Sequence, residues 1–265
     1  MQINSKWGNS MSEFLDVALR AVKEAEAVIM SYYRGDLQVE TKADASPVTI
    51  ADRKAEEKIR EVILAAFPDH VVYGEEGAKQ IGNDDQYTWV VDPVDGTKSF
   101  IRQHGLFGTL LALFYKGEII LGVSNMPAIG ELMYAEKGSG AFLNGSPVHV
   151  SNVTDLAQAY MSYGSVKYFT RLGLQQNLLA LGEQVKWARG IGDCWSYHLL
   201  AQGKIDIVAE GMTKVWDVAA LKVIVEEAGG KMTQLDGSSV DFSLVNDIAS
   251  NGKLHEQALA ALRQA

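Results

Sequence analysis

Three acidic segments, two of them near one another and the third far along the chain, hold the residues that could do chemistry together. The first is Trp89–Phe100, WVVDPVDGTKSF. An apolar strand delivers Asp92 and Asp95 around Pro93, and proline fixes a local turn, so the two carboxylates need not alternate across a sheet. Gly96 allows close backbone approach, and Thr97 offers both a hydroxyl and an amide. If a helix starts there, its free N–H groups suit a phosphate oxygen. Carboxylates beside anion-binding amides make chemical sense if metal ions bridge them to phosphate. The second segment is Tyr73–Gly77, YGEEG. Adjacent side chains on an extended backbone point opposite ways, which predicts one inward ligand and one outward acid from Glu75 and Glu76. The third is Val215–Gly230, VWDVAALKVIVEEAGG, with Asp217 near the start of an apolar helix. Taken singly these are a polar turn, a solvated loop and a helix N-cap. Taken together they are a candidate metal and phosphate site.

The elements that must position these acids are legible in outline. Apolar residues at helical spacing predict a long amphipathic helix over Glu13–Tyr33 and a second over Ala51–Phe67, with a polar loop, Gly35–Pro47, between them. Val71–Tyr73 and Thr88–Val91 read as buried strands ending at acidic residues. Gly108–Tyr115, Ile119–Met126 and Leu132–Glu136 read as an antiparallel meander with turns at Lys116-Gly117 and Pro127–Gly130. The glycine-rich Gly138–Pro147 reads as a hairpin, since it lacks the strand–helix context of a dinucleotide loop. Further on, strands are expected at Gln158–Tyr163, Gln184–Ala188, Ile205–Ala209 and Gly230–Gln234. Helices are expected at Phe169–Leu181, Cys194–Gln202, Asp217–Ala228 and Leu254–Arg263. That alternation predicts mixed α/β layers. Residues 1–10 are polar, stop before a second methionine and read as an N-terminal extension. Residues 11–150 form a first half carrying most of the acidic motifs, and residues 151–265 a second half that completes the site.

Composition narrows the function classes. The chain has 265 residues, 47% of them hydrophobic and 22% charged, as in an ordinary globular protein. The net charge of -9 and the lack of a basic stripe argue against a nucleic-acid partner. No apolar run reaches the roughly 18 residues of a membrane span, so no membrane partner is expected. One cysteine, Cys194, allows no internal disulfide and fits a reducing cytoplasm. On paper Cys194 is a nucleophile, but it lacks a phosphate-cradling loop, and a buried helix position is the plainer reading.

The order and spacing of YGEEG, WVVDPVDGTKSF and VWDVAAL resemble the inositol monophosphatase-like family from Met11 to Ala265. The resemblance implies an α+β fold, a layered αβαβα sandwich of the inositol monophosphatase/fructose-1,6-bisphosphatase type. It also implies a homodimer and magnesium-dependent, lithium-sensitive hydrolysis of a small phosphate monoester, with two or three Mg2+ ions per site. On it, Glu75, Asp92, Asp95, Asp217 and the Val94 carbonyl are the metal ligands. Gly96 and Thr97 hold the phosphate. Asp52, in PVTIADRKAEE, works with Thr97 and Glu75 to orient the attacking water, where the plainer reading of Asp52 is an exposed helix acid. No phosphoenzyme is needed.

The leaving-group side rests on Arg189, Asp193 and Glu210. The run Arg189–Trp195 aligns with the family's leaving-group region, and Glu210, seven residues before Asp217, takes the usual gripping position. The GDCW string and the segment after it look most like the histidinol-phosphatase branch. Two anionic acceptors, Asp193 and Glu210, suit an amine or imidazolium better than a neutral polyol. Asp193 could instead cap the helix that follows it. Histidinol phosphate is therefore the expected substrate, with inositol 1-phosphate as the alternative and a non-catalytic metal- or phosphate-binding scaffold as the reading from another class.

Overall fold

The computed structural model describes residues 12–35, 39–41, 47–77, 82–83, 85–240 and 245–263; the extension assigned to residues 1–10 lies outside them. In chain order the first part runs α1 (Glu13–Tyr32), β1 (Val39–Thr41), β2 (Pro47–Thr49), α2 (Ile50–Ala66), β3 (Val71–Gly74), β4 (Thr88–Asp95), α3 (Thr97–Ile101), β5 (Gly108–Tyr115), β6 (Glu118–Met126), β7 (Glu131–Glu136), β8 (Ala141–Leu143) and β9 (Ser146–Val148). It continues through β10 (Tyr160–Tyr163), α4 (Val166–Arg171), α5 (Gln175–Gln184), β11 (Trp187–Gly190), α6 (Asp193–Ala201), β12 (Ile207–Thr213), α7 (Val215–Glu227), β13 (Lys231–Gln234), β14 (Val245–Ser250) and α8 (His255–Arg263).

Two sheets organise these elements. A seven-stranded sheet runs β3-β4-β5-β6-β7-β8-β9, and a five-stranded sheet runs β11-β10-β12-β14-β13. Strand β4 is buried along its whole length because both its faces are covered. Trp89 and Val91 pack with Ala18, Val22 and Ile59 of α1 and α2. Val90 points the other way, with Leu110 and Ala112, onto Tyr197 of α6 and Val218 and Leu221 of α7. The same cluster contains Val208, Met232 and Ala249 of the second sheet, so α6 and α7 are the filling between the sheets. Beyond that sheet, Ile207, Ala209 and Ile248 pack on Phe169, Leu178, Leu181 and Leu259 from α4, α5 and α8. The layers are therefore αβαβα. Helix α7 lies so close to β6 that a Cβ on Gly122 would stand 2.4 Å from the Ala220 carbonyl oxygen. That contact fixes where α7 begins, and hence where Asp217 stands.

Several boundaries depart from the sequence reading for local reasons. The helix expected over Phe169–Leu181 is two, α4 and α5, separated around Gly173, whose φ of 73° no continuing helix adopts. Helix α5 runs on to Gln184, so the strand expected at Gln184–Ala188 begins instead at Trp187. Helix α7 starts at Val215, which makes Asp217 its third residue rather than its first. The loop expected at Gly35–Pro47 contributes β1, which pairs antiparallel with β2. Strand β14, VNDIAS, carries polar residues where a buried strand usually shows apolar ones, and periodicity does not reveal it. No helix among the described residues is long and apolar enough to cross a membrane.

Candidate active site

Asp92 and Asp95 are three residues apart, a spacing that would put them on opposite faces of a regular strand. The structure resolves this with a bulge. Asp92 pairs with Leu110 and Asp95 with Gly108, so β4 advances three residues while β5 advances two. Pro93 sits inside the bulge, where its missing N–H breaks no ladder bond, and its carbonyl accepts from Thr109 Oγ1 at 2.9 Å. Asp92 Oδ1 accepts from the Val94 N–H at 3.0 Å, and the Val94 carbonyl accepts from Thr97 Oγ1 at 3.0 Å. Gly96 has a φ of 77°, and a Cβ there would meet the Leu106 carbonyl oxygen at 2.9 Å. Only glycine turns the chain tightly enough to start α3 at Thr97.

Glu75 follows β3 and extends its ladder, its N–H donating to the Val91 carbonyl at 3.1 Å. Its neighbour Glu76 donates its N–H to Glu56 Oε2 at 2.8 Å. Glu56, a buried acid of α2 that the motifs do not flag, thus pins the YGEEG turn from below. Asp52 is buried rather than exposed. It closes a capping box on α2 by accepting from the Thr49 N–H at 2.8 Å, while its Oδ1 lies 3.4 Å from Thr97 Oγ1. Asp217 Oδ2 accepts from the Lys214 N–H at 2.7 Å, tying the acid to the first turn of α7.

Glu75, Asp92, Val94, Asp95, Gly96, Thr97, Asp193, Glu210 and Asp217 all line one cavity of about 450 Å³ between the two halves. Two residues named from the sequence are not among its lining. Asp52 stands behind Thr97. Arg189 is exposed on β11, its guanidinium 5.1 Å over the Trp187 ring and its Nη1 donating to the Ala188 carbonyl; it borders a different depression. The structure therefore supplies no contact through which Arg189 would grip a ligand in this cavity. Asp193 does not cap α6: the N–H of Cys194 is taken by Asp95 Oδ2 at 2.7 Å, across 99 residues of sequence, and Gly192 is the cap residue. Asp193 itself holds a φ of 52°, unusual for a residue with a side chain. The Cys194 thiol is buried, and burial with Asp95 beside it pushes its pKa well up, the reverse of what a thiolate nucleophile needs.

The electrostatics are those of crowded acids. Burial raises Asp92 well above the usual carboxylate range, and Glu75, Asp95 and Asp217 add to it. Asp95 is raised likewise by burial, then by Asp193 and Asp217. Asp217 is pushed up to about 7, by burial first, against the pull of its bond from Lys214. Among the described residues no trio of Asp, Glu, His or Cys side chains closes into a ready-made metal cage. The donor set nonetheless consists of carboxylate oxygens and one peptide carbonyl, hard donors that fit magnesium rather than a softer metal. A divalent cation would also relieve the repulsion that raises these acids.

Sequence reading missed four contributors on or behind the cavity wall: Glu56, Gly164, Tyr197 and Asp247. None is marked by its own motif, although Glu56 lies in the PVTIADRKAEE string quoted for Asp52. Gly164 matters because a Cβ there would lie 1.6 Å from Glu210 Oε2. Asp247 is wholly buried on β14, opposite Glu210 on β12.

The comparisons with known proteins agree with this architecture. A profile of the inositol monophosphatase family matches residues 10–265. A histidinol-phosphatase of Chlorobaculum parvum is 37% identical over 253 residues, covering 95% of this chain and 97% of its own. An inositol monophosphatase structure from Thermotoga maritima superposes with a TM-score of 0.86 at 31% identity, covering 96% of this chain and 98% of its own. An inositol monophosphatase/NADP phosphatase solved in complex with Mg2+ and phosphate superposes with a TM-score of 0.86 at 25% identity, covering 96% of each chain.

Proposed function

The chain belongs to the inositol monophosphatase family, a family of phosphatases, and we propose that within it this protein is a magnesium-dependent phosphomonoesterase that hydrolyses histidinol phosphate to histidinol and phosphate. The observation that carries the reading is the convergence of Glu75, Asp92, Asp95 and Asp217, from three remote segments, on one cavity that also presents Gly96 and Thr97. Magnesium, two or three ions held by those acids and the Val94 carbonyl, supplies positive charge that offsets the phosphoryl oxygens and favours ionisation of water at neutral pH. The rest is done by the chain. The backbone at Gly96 and Thr97 holds a phosphoryl oxygen. Thr97 Oγ1, donating to the Val94 carbonyl, presents its lone pairs to a water on the cavity side. Asp52, locked by Thr49, keeps Thr97 from rotating away. On this reading Glu75 takes a proton from that water, whose oxygen attacks phosphorus in line as the P–O bond to the alcohol breaks, and the departing alkoxide takes up a proton to leave as the alcohol. Phosphate-monoester hydrolysis is among the slowest reactions in water, and the rate enhancement required, up to about 10²¹-fold, demands charge stabilisation of this kind.

The leaving alcohol faces Asp193 and Glu210. Their two carboxylates favour a cationic group, which supports histidinol phosphate over inositol 1-phosphate. The second substrate keeps standing because the Thermotoga maritima neighbour is an inositol monophosphatase. The reading extends to a cytoplasmic homodimer, inhibited by lithium, without nucleic-acid partners. The deciding experiment is phosphate release from histidinol phosphate, inositol 1-phosphate, fructose 1,6-bisphosphate and adenosine 3′,5′-bisphosphate under identical magnesium, each repeated with EDTA. Fastest turnover of histidinol phosphate, abolished by EDTA, is the expected result. No phosphate release from any ester would return the chain to the scaffold reading.

A further inference from the structure

Behind the cavity wall that carries Glu210 lies a second buried carboxylate with no assigned part in the hydrolytic step. Asp247 on β14 is directly opposite Glu210 on β12, and directly opposed residues of an antiparallel pair project to the same side. Asp247 is fully buried. Its Oδ2 accepts from the Tyr197 hydroxyl and its Oδ1 from Thr213 Oγ1 at 3.1 Å. Tyr197 and Thr213 both line the cavity, as does Glu210. Asp247 therefore organises this wall without touching its contents.

Glu210 shows what the wall is built for. It is only 8% exposed, and among the described residues its Oε1 has no hydrogen-bond partner. An unpaired buried carboxylate oxygen is costly, and like charges directly opposed across strands are costly too. Replacing Glu210 by an apolar residue would remove both costs. The fold instead clears space for Glu210 by keeping glycine at position 164. Among the described residues lining the cavity, Lys98 is the one cation, and its ammonium stands 6.0 Å over the Tyr168 ring. No side-chain cation pairs with Glu210 or Asp247 among the described lining residues. Burial, then the facing Asp247, raises the Glu210 carboxyl well above the usual carboxylate range, while Asp247 is pushed up to about 7. A ligand cation seated on Glu210 Oε1 would draw the pair into its ionised form.

We propose that Asp247 is a specificity-determining positioning residue, which orients Tyr197 and Thr213 and places a second negative charge behind Glu210, so that this wall receives the ammonium or imidazolium group of the leaving alcohol. The inference rests on the phosphomonoesterase reading above and deepens it. A neutral polyol can hydrogen-bond Glu210 but gains nothing from a charge one layer further back. A cation gains from both charges, because Coulomb attraction reaches across that distance in a protein-like medium.

The test uses the full-length protein with Asp247→Asn, and Asp247→Ser as a second neutral variant should the first not fold. Asp247→Glu serves as the conservative rescue. For each, kcat and KM are measured at saturating magnesium for histidinol phosphate and for glycerol 2-phosphate, and histidinol affinity is measured by calorimetry without magnesium. The neutral variants are expected to lower the ratio of kcat/KM for the cationic over the neutral ester by about tenfold, mainly through KM, because the cation is bound alike in ground and transition states. Histidinol affinity is expected to fall by a similar factor, and Asp247→Glu to restore most of the ratio. A merely structural role would lower both esters together, and that result would overturn the inference. If the wild type prefers histidinol phosphate and the neutral variants keep that preference, Asp247 loses its role and the substrate reading stands. If the wild type shows no preference for the cationic ester, both fall.

Discussion

The two walls of the cavity are built in different ways. The first wall is local. Asp92, Val94, Asp95, Gly96 and Thr97 are nearly consecutive, and their positions are set by bonds among themselves: Val94 N–H to Asp92, and Thr97 Oγ1 to the Val94 carbonyl. The second wall is assembled from a distance. Glu210 and Asp247 meet through strand pairing, Tyr197 reaches them from α6, and Gly164 clears space from the end of β10. A bulge in β4 also lets Asp95 accept from the Cys194 N–H, so the walls are joined at Asp95. The contrast suggests a division of labour. On the proposed reading, the string, with Glu75 and Asp217 brought to it, serves the chemistry common to phosphate esters, and the second wall serves selection among them.

The largest effects should come from the acids that face the proposed metals. Asp92→Asn and Asp217→Asn are each expected to cost more than about a hundredfold in kcat for every ester, with far-UV circular dichroism unchanged. Near-normal turnover by either variant at ordinary magnesium would break the comparison at its root. Asp193→Asn is expected to act on one substrate class alone. Losing a charge-assisted hydrogen bond costs about 1.5–3 kcal/mol, roughly ten- to a hundredfold in kcat/KM for histidinol phosphate, with glycerol 2-phosphate little changed. Uniform small losses would remove Asp193 from the selective wall.

Gly164→Ala sharpens the same point from the backbone. A Cβ 1.6 Å from Glu210 Oε2 must displace that side chain. We expect about tenfold weaker histidinol binding and a stability loss of about 1–3 kcal/mol from overpacking, read from calorimetry and thermal melts. Unaltered histidinol affinity would mean that Glu210 does not grip the leaving group.

Stability against pH distinguishes the walls without any substrate. Asp217 and Asp247 both have pKa values raised from an ordinary 3.8 to about 7 by burial. The folded state therefore favours their protonated forms. That contribution is fully present below about pH 4 and is lost as pH rises through 7. Chelated protein should accordingly lose melting temperature between about pH 4 and 7 on account of these groups. Magnesium at a hundred times its Kd should add about 2.7 kcal/mol at pH 8. It should also remove the part of the pH dependence due to Asp217, leaving the part due to Asp247, which Asp247→Asn would then remove. A magnesium-independent melting curve would contradict the assigned ligands. The smallest effect is expected at Arg189. Its side chain is exposed and turned onto Trp187, so Arg189→Ala should alter stability by no more than about 0.5 kcal/mol and kcat/KM by about twofold at most. A large KM effect there would redraw the second wall.

Much of this was legible in the sequence, for a physical reason. A proline between two acids, a glycine that must turn, and a threonine beside it are short-range constraints, and short-range constraints are carried by neighbours in the chain. The buried strand at Thr88, the long helix at Glu13 and the hairpin around Asn144-Gly145 were readable on the same terms, since apolar period and turn chemistry are local. What only the tertiary structure decided was proximity. Asp193 had a plain alternative as a helix cap until the structure gave the Cys194 N–H, in the first turn of α6, to Asp95. Asp52 had a plain alternative as an exposed helix acid until packing buried it behind Thr97. Asp247 lay in a strand whose polar residues hid its period, and its charge gains meaning only from standing opposite Glu210. Coulomb energy and desolvation depend on distance in space and on what covers a group. Neither quantity exists until the strands have paired and the helices have closed over them.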